Sequence, residues 1–313
     1  MPRLDAATLK KATVYIGDKN FAARQQLREL FMAQGLKQVV LHSTIGALRD
    51  MVEQVPPDLL VLSDDFDPDV YNLVREIRFQ QVGENPFMLI SMLVHPTRRD
   101  SLERAIEAGV DDIIIKPVTA ERVQERLKLV TFHRRPFIAT DGYMGPERKN
   151  EESSSRTVRR IPVINTLLEK VHGREMDKYA LKAAVEGSLQ SVLQAQLDSQ
   201  SFRLGEVCER LVGAYETGNI TSDVQSDLLM LADVLRDASR VADRLKDTQL
   251  SGLCVTLGDN VNTIADHYAE PTDKEIDLIR KVTMAFKMAM TAPAPGELEA
   301  GAGDMAMFDV RPN

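Results

Sequence analysis

The chain has 313 residues, 43% hydrophobic and 27% charged, with no tryptophan and a formal net charge of -8. That length suits two globular domains, and the acidic balance argues against a general nucleic-acid binder, whose footprint is basic. Cys208 and Cys254 are the only cysteines, too few for a disulfide framework or an ordinary zinc site.

No apolar run approaches the roughly 20 residues of a membrane helix. The start, Met1-Pro2-Arg3-Leu4-Asp5, lacks the apolar core of a signal peptide. A reduced, cytoplasmic setting is therefore expected. The first part then alternates. Strands are expected at 13–16, 39–41, 59–62, 87–90 and 113–115. Helices are expected at 21–34, 45–54, 70–79, 98–108 and 120–130. Leu27, Leu30 and Phe31 have helical spacing, and Gly35 stands where a helix ends. Pro56-Pro57 stops the second helix and Gly109 closes the fourth. Strands that are apolar throughout are buried on both faces. The fold class read from this is α/β: a doubly wound, five-stranded parallel sheet over residues 11–130.

Residues 131–162 mix Pro136, Gly142, Gly145 and Pro146 with charges and Ser153-Ser154-Ser155, and read as a solvated linker. From 163 to 291 the pattern is helical, an all-α bundle used for output or interaction. Its helices are expected at 164–172, 174–200, 203–216, 222–247, 253–268 and 273–290. Ser222-x-x-Gln225 and Thr272-x-x-Glu275 read as capping boxes. Leu228, Leu231, Leu235, Ala238, Ala242 and Leu245 form a seam with steps of three and four. Met284, Met288 and Met290 are assigned to a core. His172 and His267 lack the surroundings of a phosphotransfer histidine. Residues 292–313, rich in Pro and Gly, read as a disordered tail.

Three strands end in groups suited to phosphoryl chemistry: Gly17-Asp18, Ser63-Asp64-Asp65 and Lys116-Pro117. In a parallel sheet these ends share one edge, where ligand sites gather. With Ser91 closing the fourth strand, residues 11–130 resemble the receiver domain of two-component response regulators, the flavodoxin-like phosphoacceptor module of bacterial signalling. The resemblance implies that Asp64 accepts the phosphoryl group, with Pro68 four residues on. Counting forward from Pro57-Asp58 puts Ser63 there instead. Asp64 is the adopted reading. It further implies Mg²⁺ held by Asp18, Asp64 and Asp65, a switch hydroxyl on Ser91, and Lys116 on the phosphoryl oxygens.

Two positions depart from the family. Lys19 stands in place of a second acid, and Ile113 in place of an aromatic switch residue. Mg²⁺ offsets the repulsion between a dianionic donor and an anionic carboxylate. Unit charges about 4 Å apart interact by roughly 4 kcal/mol at an effective dielectric near 20, so Lys19 weakens a metal site. The chain is thus expected to be a response regulator and no enzyme. Its expected partners are a histidine kinase or phosphotransfer protein, and a protein partner or second copy for the helical half. A phosphorylation-independent adaptor is the alternative. A DNA-binding regulator ranks last, because residues 222–247 carry more acids than bases.

Overall fold

Five parallel strands build the N-terminal sheet of the computed structural model, which describes residues 4, 6–140, 142–148 and 159–291. After a short helix α1 (Ala6–Leu9) come β1 (Thr13–Gly17), α2 (Phe21–Ala33), β2 (Gln38–His42) and α3 (Ile45–Gln54). Then follow β3 (Leu59–Ser63), α4 (Val70–Arg78), β4 (Leu89–Val94), α5 (Arg99–Ala108), β5 (Asp112–Ile115) and α6 (Ala120–Phe132). The strand order β2-β1-β3-β4-β5 is the doubly wound, flavodoxin-like arrangement expected from the alternation. Every residue of β3 and β4 is buried, whereas edge strand β2 alternates. That difference is why central strands read as unbroken apolar runs.

Two apolar layers hold the sheet. One packs Leu60, Leu62, Ile90 and Met92 against α3, α4 and α5. The other packs Val14, Ile16, Val61 and Leu93 against α2 and α6. Each such side chain, fully buried, contributes about 1.5–3 kcal/mol. Asn20, Thr44 and Thr119 cap α2, α3 and α6 by accepting backbone N–H groups, satisfying donors a helix start leaves open. Gly109, in the left-handed region at φ 88°, ends α5 as expected.

The fourth strand departs from the expected 87–90. It begins two residues later and runs to Val94, in register with β3 from Leu59↔Leu89 to Ser63↔Leu93. The run from Phe87 to Val94 is apolar but for Ser91, so its periodicity cannot fix its ends. Asn85 settles the start: its side chain accepts the Phe87 N–H at 3.0 Å and turns that residue out of the sheet.

Residues 131–162 are not simply a linker. β6 (Phe137–Ala139) and β7 (Met144–Pro146) pair antiparallel, and Ile161 bridges Phe137. Phe137 is fully buried and meets Phe87 edge-on, with ring centroids 5.5 Å apart. These residues share a third apolar cluster with Val185, Val192 and Ala195. Apolar burial outweighed the turn-rich composition. Ser153–Ser155 and the expected tail at 292–313 lie outside the described residues.

Past α7 (Thr166–Val171), α8 (Lys178–Thr217) is one 40-residue helix, without the break expected after residue 200. The division into two compact units falls inside it, between Ala195 and Gln196, rather than at residue 163. In the second unit α9 (Ser222–Arg244), α10 (Thr248–Asp266) and α11 (Asp273–Thr291) follow. The α9 seam from Leu228 to Ala242 is buried, and α10 packs along α9, with Gly258 facing Leu235. Thr272 and Glu275 form the expected reciprocal box. At α9 the cap is Thr221, one residue earlier than expected. Phe286 is the buried anchor of α11, while Met284 and Met288 are more than half exposed, against the core role expected for them. Among the described residues no helix is long and apolar enough to cross a membrane.

Candidate functional site

The carboxyl edge of β1, β3, β4 and β5 brings Asp18, Ser63, Asp64, Asp65 and Lys116 together. The parallel order requires this, because each residue ends a strand or follows one. The Lys116 ammonium donates to Ser63 Oγ at 2.5 Å and to Asp65 Oδ1 at 3.4 Å. It also lies 3.7 Å from Asp18 Oδ2. Ser63 Oγ in turn donates to Asp65 Oδ1 at 2.5 Å. Lys19 completes this cluster, its Nζ 3.5 Å from Asp65 Oδ2.

Asp64 faces another way. Its backbone N–H donates to Leu93 O at 2.9 Å, which continues the β3–β4 ladder by one residue. Its Oδ2 accepts the His95 N–H at 3.5 Å and lies 3.8 Å from Arg98 Nη1. The side chain is 1% exposed, and Oδ1 is buried without a hydrogen-bond partner. A cavity of about 220 Å³ opens beside it, lined by Asp64, Asp65, His95, Thr97, Arg98 and Lys116.

Charges are balanced within this group: three carboxylates (Asp18, Asp64, Asp65) face Lys19, Arg98 and Lys116. Burial raises the Asp65 pKa, but the Ser63 hydroxyl and the charges of Lys116 and Lys19 outweigh it and hold the carboxyl at about 2. Asp65 is therefore ionised at neutral pH and already served by two ammonium groups. Among the described residues no group of three or more His, Cys, Asp or Glu side chains is placed to hold a metal ion. Asp18, Asp64 and Asp65, the expected Mg²⁺ set, stand on this edge with Lys116 3.7 Å from Asp18 and Lys19 3.5 Å from Asp65. Asp18 Oδ2 and Asp64 Oδ1 are its buried oxygens without hydrogen bonds.

Ser91 does not belong to this edge. It lies in mid-strand, paired with Val61 and Asp112, three residues before β4 ends. At about 3.3 Å per residue that is roughly 10 Å short of the site. The strand end beside Asp64 is Val94, a buried apolar residue with no hydroxyl to offer. Ile113 is partly buried against the α3–α5 core layer.

Sequence reading missed Arg98, which reaches Asp64 from the loop after β4. It also missed a buried ion network at the opposite end of the sheet. Arg78 is fully buried and donates to Gly109 O, Pro86 O, Met88 O and Asp111 Oδ2 at 2.6–2.9 Å. Arg134 donates to the other Asp111 oxygen at 2.8 Å. The two guanidinium groups stand 5.2 and 5.0 Å from the Phe137 ring centroid. Burial opposes ionisation of Asp111, but its two arginines outweigh it and hold the carboxyl below its ordinary range. The available signal was Arg78 on the face of α4 that also carries Val70, Val74 and Ile77.

No family model matches the chain, and no curated protein matches it. Among the solved structures similar to it are chemotaxis and response-regulator proteins. The Vibrio cholerae chemotaxis protein CheY4 is 18% identical, over 38% of this chain and 98% of that one, with a TM-score of 0.34. A response regulator from Thermotoga maritima is 20% identical, over 38% of this chain and 96% of that one, with a TM-score of 0.34. Full-length FixJ from B. japonicum is 14% identical, over 88% of this chain and 98% of that one, with a TM-score of 0.35. The flavodoxin-like class itself follows from strand order and register.

Proposed function

We propose that the chain is a cytoplasmic signal-transduction protein of the two-component type. Its receiver-like sheet works as a phosphorylation-independent docking module for a kinase or phosphotransfer partner. The helical half engages a further protein or a second copy. The observation that carries this reading is the occupation of Lys116 by Ser63 and Asp65. The ammonium a phosphoryl group would need is already paired. Val94 at the end of β4 and Lys19 beside Asp65 support the same reading, since no hydroxyl reports charge there and a cation replaces a metal ligand.

Incubation with acetyl phosphate and Mg²⁺, followed by mass spectrometry of the intact chain, tests the reading. No acid-stable, base-labile mass gain is expected in wild type. A gain that disappears in Asp64→Ala would establish the second reading, a regulator phosphorylated on Asp64. The unpartnered Asp64 Oδ1 and its adjoining cavity favour that second reading. Under the first reading Lys19→Asp combined with Val94→Thr is the variant in which acceptor chemistry emerges.

A further inference from the structure

At the amino end of β5, roughly 13 Å along the strand from Lys116, lies a second cavity of about 640 Å³. It is formed by the end of α5, the start of β5, the last turns of α6 and the hairpin that follows. Four arginines line it, Arg135 among them, and three keep a buried N–H group without a hydrogen-bond partner: Arg126 Nε, Arg134 Nη2 and Arg148 Nε. Arg134 is 7% exposed, fixed on Asp111 through its Nε and on Ile164 O through Nη1. Its remaining Nη2 is buried without a hydrogen-bond partner. Arg126 is anchored by its Nη2 on Ile113 O at 2.8 Å, and Arg148 by its Nη2 on Val110 O.

A buried N–H left without an acceptor costs about 1–3 kcal/mol, more when the group is charged. Three in one cavity mark a place shaped for an acceptor-rich anion. Guanidinium forks match phosphate oxygens better than any other side chain does. The carboxylates present offset only part of this charge. Asp111 is shared between Arg78 and Arg134, and Glu107 lies 3.7 Å from Arg75. Asp112 holds Arg126 at 3.4 Å and leaves its Oδ2 buried and unpartnered, an acceptor that calls for a donor on the ligand. Leu129, Val130 and Tyr143 add an apolar wall. The volume falls within the roughly 300–1,000 Å³ of small-molecule sites.

We propose that this cavity binds a nucleotide-sized organic phosphate. Arg126, Arg134 and Arg148 take the phosphate, Asp112 accepts from a ligand hydroxyl or amino group, and the apolar wall covers the organic body. The site is separate from the Asp64 edge and does not depend on whether that edge is phosphorylated.

Isothermal titration of the full chain with AMP, adenosine and inorganic phosphate in low salt tests this. Saturable AMP binding is expected, weaker binding of phosphate, and none of adenosine. Arg126→Gln and Arg148→Gln should each weaken AMP about tenfold. Leu129→Glu, which keeps every arginine and places a negative charge on the wall, should weaken it at least as much. It also decides the matter if an arginine variant fails to fold. Absence of saturable AMP and phosphate binding in wild type would overturn the proposal. So would AMP binding left unchanged by Leu129→Glu, or adenosine binding as well as AMP.

Discussion

The Lys116 ammonium sits 2.5 Å from the hydroxyl oxygen of Ser63, while the neighbouring Asp64 carboxylate turns toward Arg98. Two consecutive residues at one strand end thus answer to different cations. The alternation of a strand explains it, since successive side chains leave opposite faces. The two residues divide the labour: Ser63 takes the lysine, and Asp64 takes the His95 N–H and the Arg98 guanidinium.

Replacing Lys19 with Asp removes a positive charge 3.5 Å from Asp65 and adds a negative one. Mg²⁺ affinity, read by titration calorimetry, should rise at least about tenfold. Unchanged affinity would mean that the exposed Lys19 charge is screened from the site.

Asp112 predicts a pH dependence. Burial pushes its pKa up to about 6, only partly offset by Arg126 and the Ile113 N–H, against 3.8 ordinarily. Between pH 4 and 6 the folded state therefore binds more protons than the unfolded state. This group's contribution to stability falls as pH rises through that window. Asp112→Asn should stabilise the protein by up to about 3 kcal/mol at pH 7.5 and by almost nothing at pH 4. Urea midpoints at the two pH values check this, and an equal effect at both would refute the shift.

Gly109→Ala should be costly. A Cβ there would lie 2.6 Å from Met144 O, in a backbone conformation at φ +88° that alanine avoids. A loss of about 2 kcal/mol or more is expected, a fall in Tm of roughly 4–8 °C. Gly142→Ala, with open space around it, is the control and should be nearly silent.

Arg78→Met removes one partner of a buried ion pair and leaves three backbone carbonyls without their donor. About 3–5 kcal/mol of stability should be lost. Arg78→Lys should recover little of it, because an ammonium cannot span the fork. Denaturant midpoints of both variants give the answer. A lysine variant as stable as wild type would show that charge alone suffices.

The alternating half was legible because its strands are apolar and its breaks carry Gly, Pro or a cap. Leu59 to Leu62, Pro56-Pro57 and Gly109 each spoke for one structural fact. Ser91 misled because an apolar strand gives no end signal, and one polar residue inside it looks like a terminus. Arg78 and Asp111 were invisible as a pair, since 33 residues separate them and nothing local ties one to the other. Phe137 was hidden by its neighbours: Pro136, Gly142 and Gly145 read as loop, and only Phe87 across the fold explains their hairpin. The join at residues 200–203 shows the same limit for helices: a weak periodic signal there reads as a break, yet α8 runs through it.

The hairpin that covers Phe87 sets where this chain can be divided. A fragment ending at Val130 would match the familiar boundary of its sheet yet lose Arg134 from Asp111 and Phe137 from Phe87. The smallest inheritable piece is therefore longer than the sheet and its helices. Recombination that grafted residues 11–130 alone onto another output would deliver a damaged part. Shuffling that kept the stretch through the first turns of α8 would deliver a whole one.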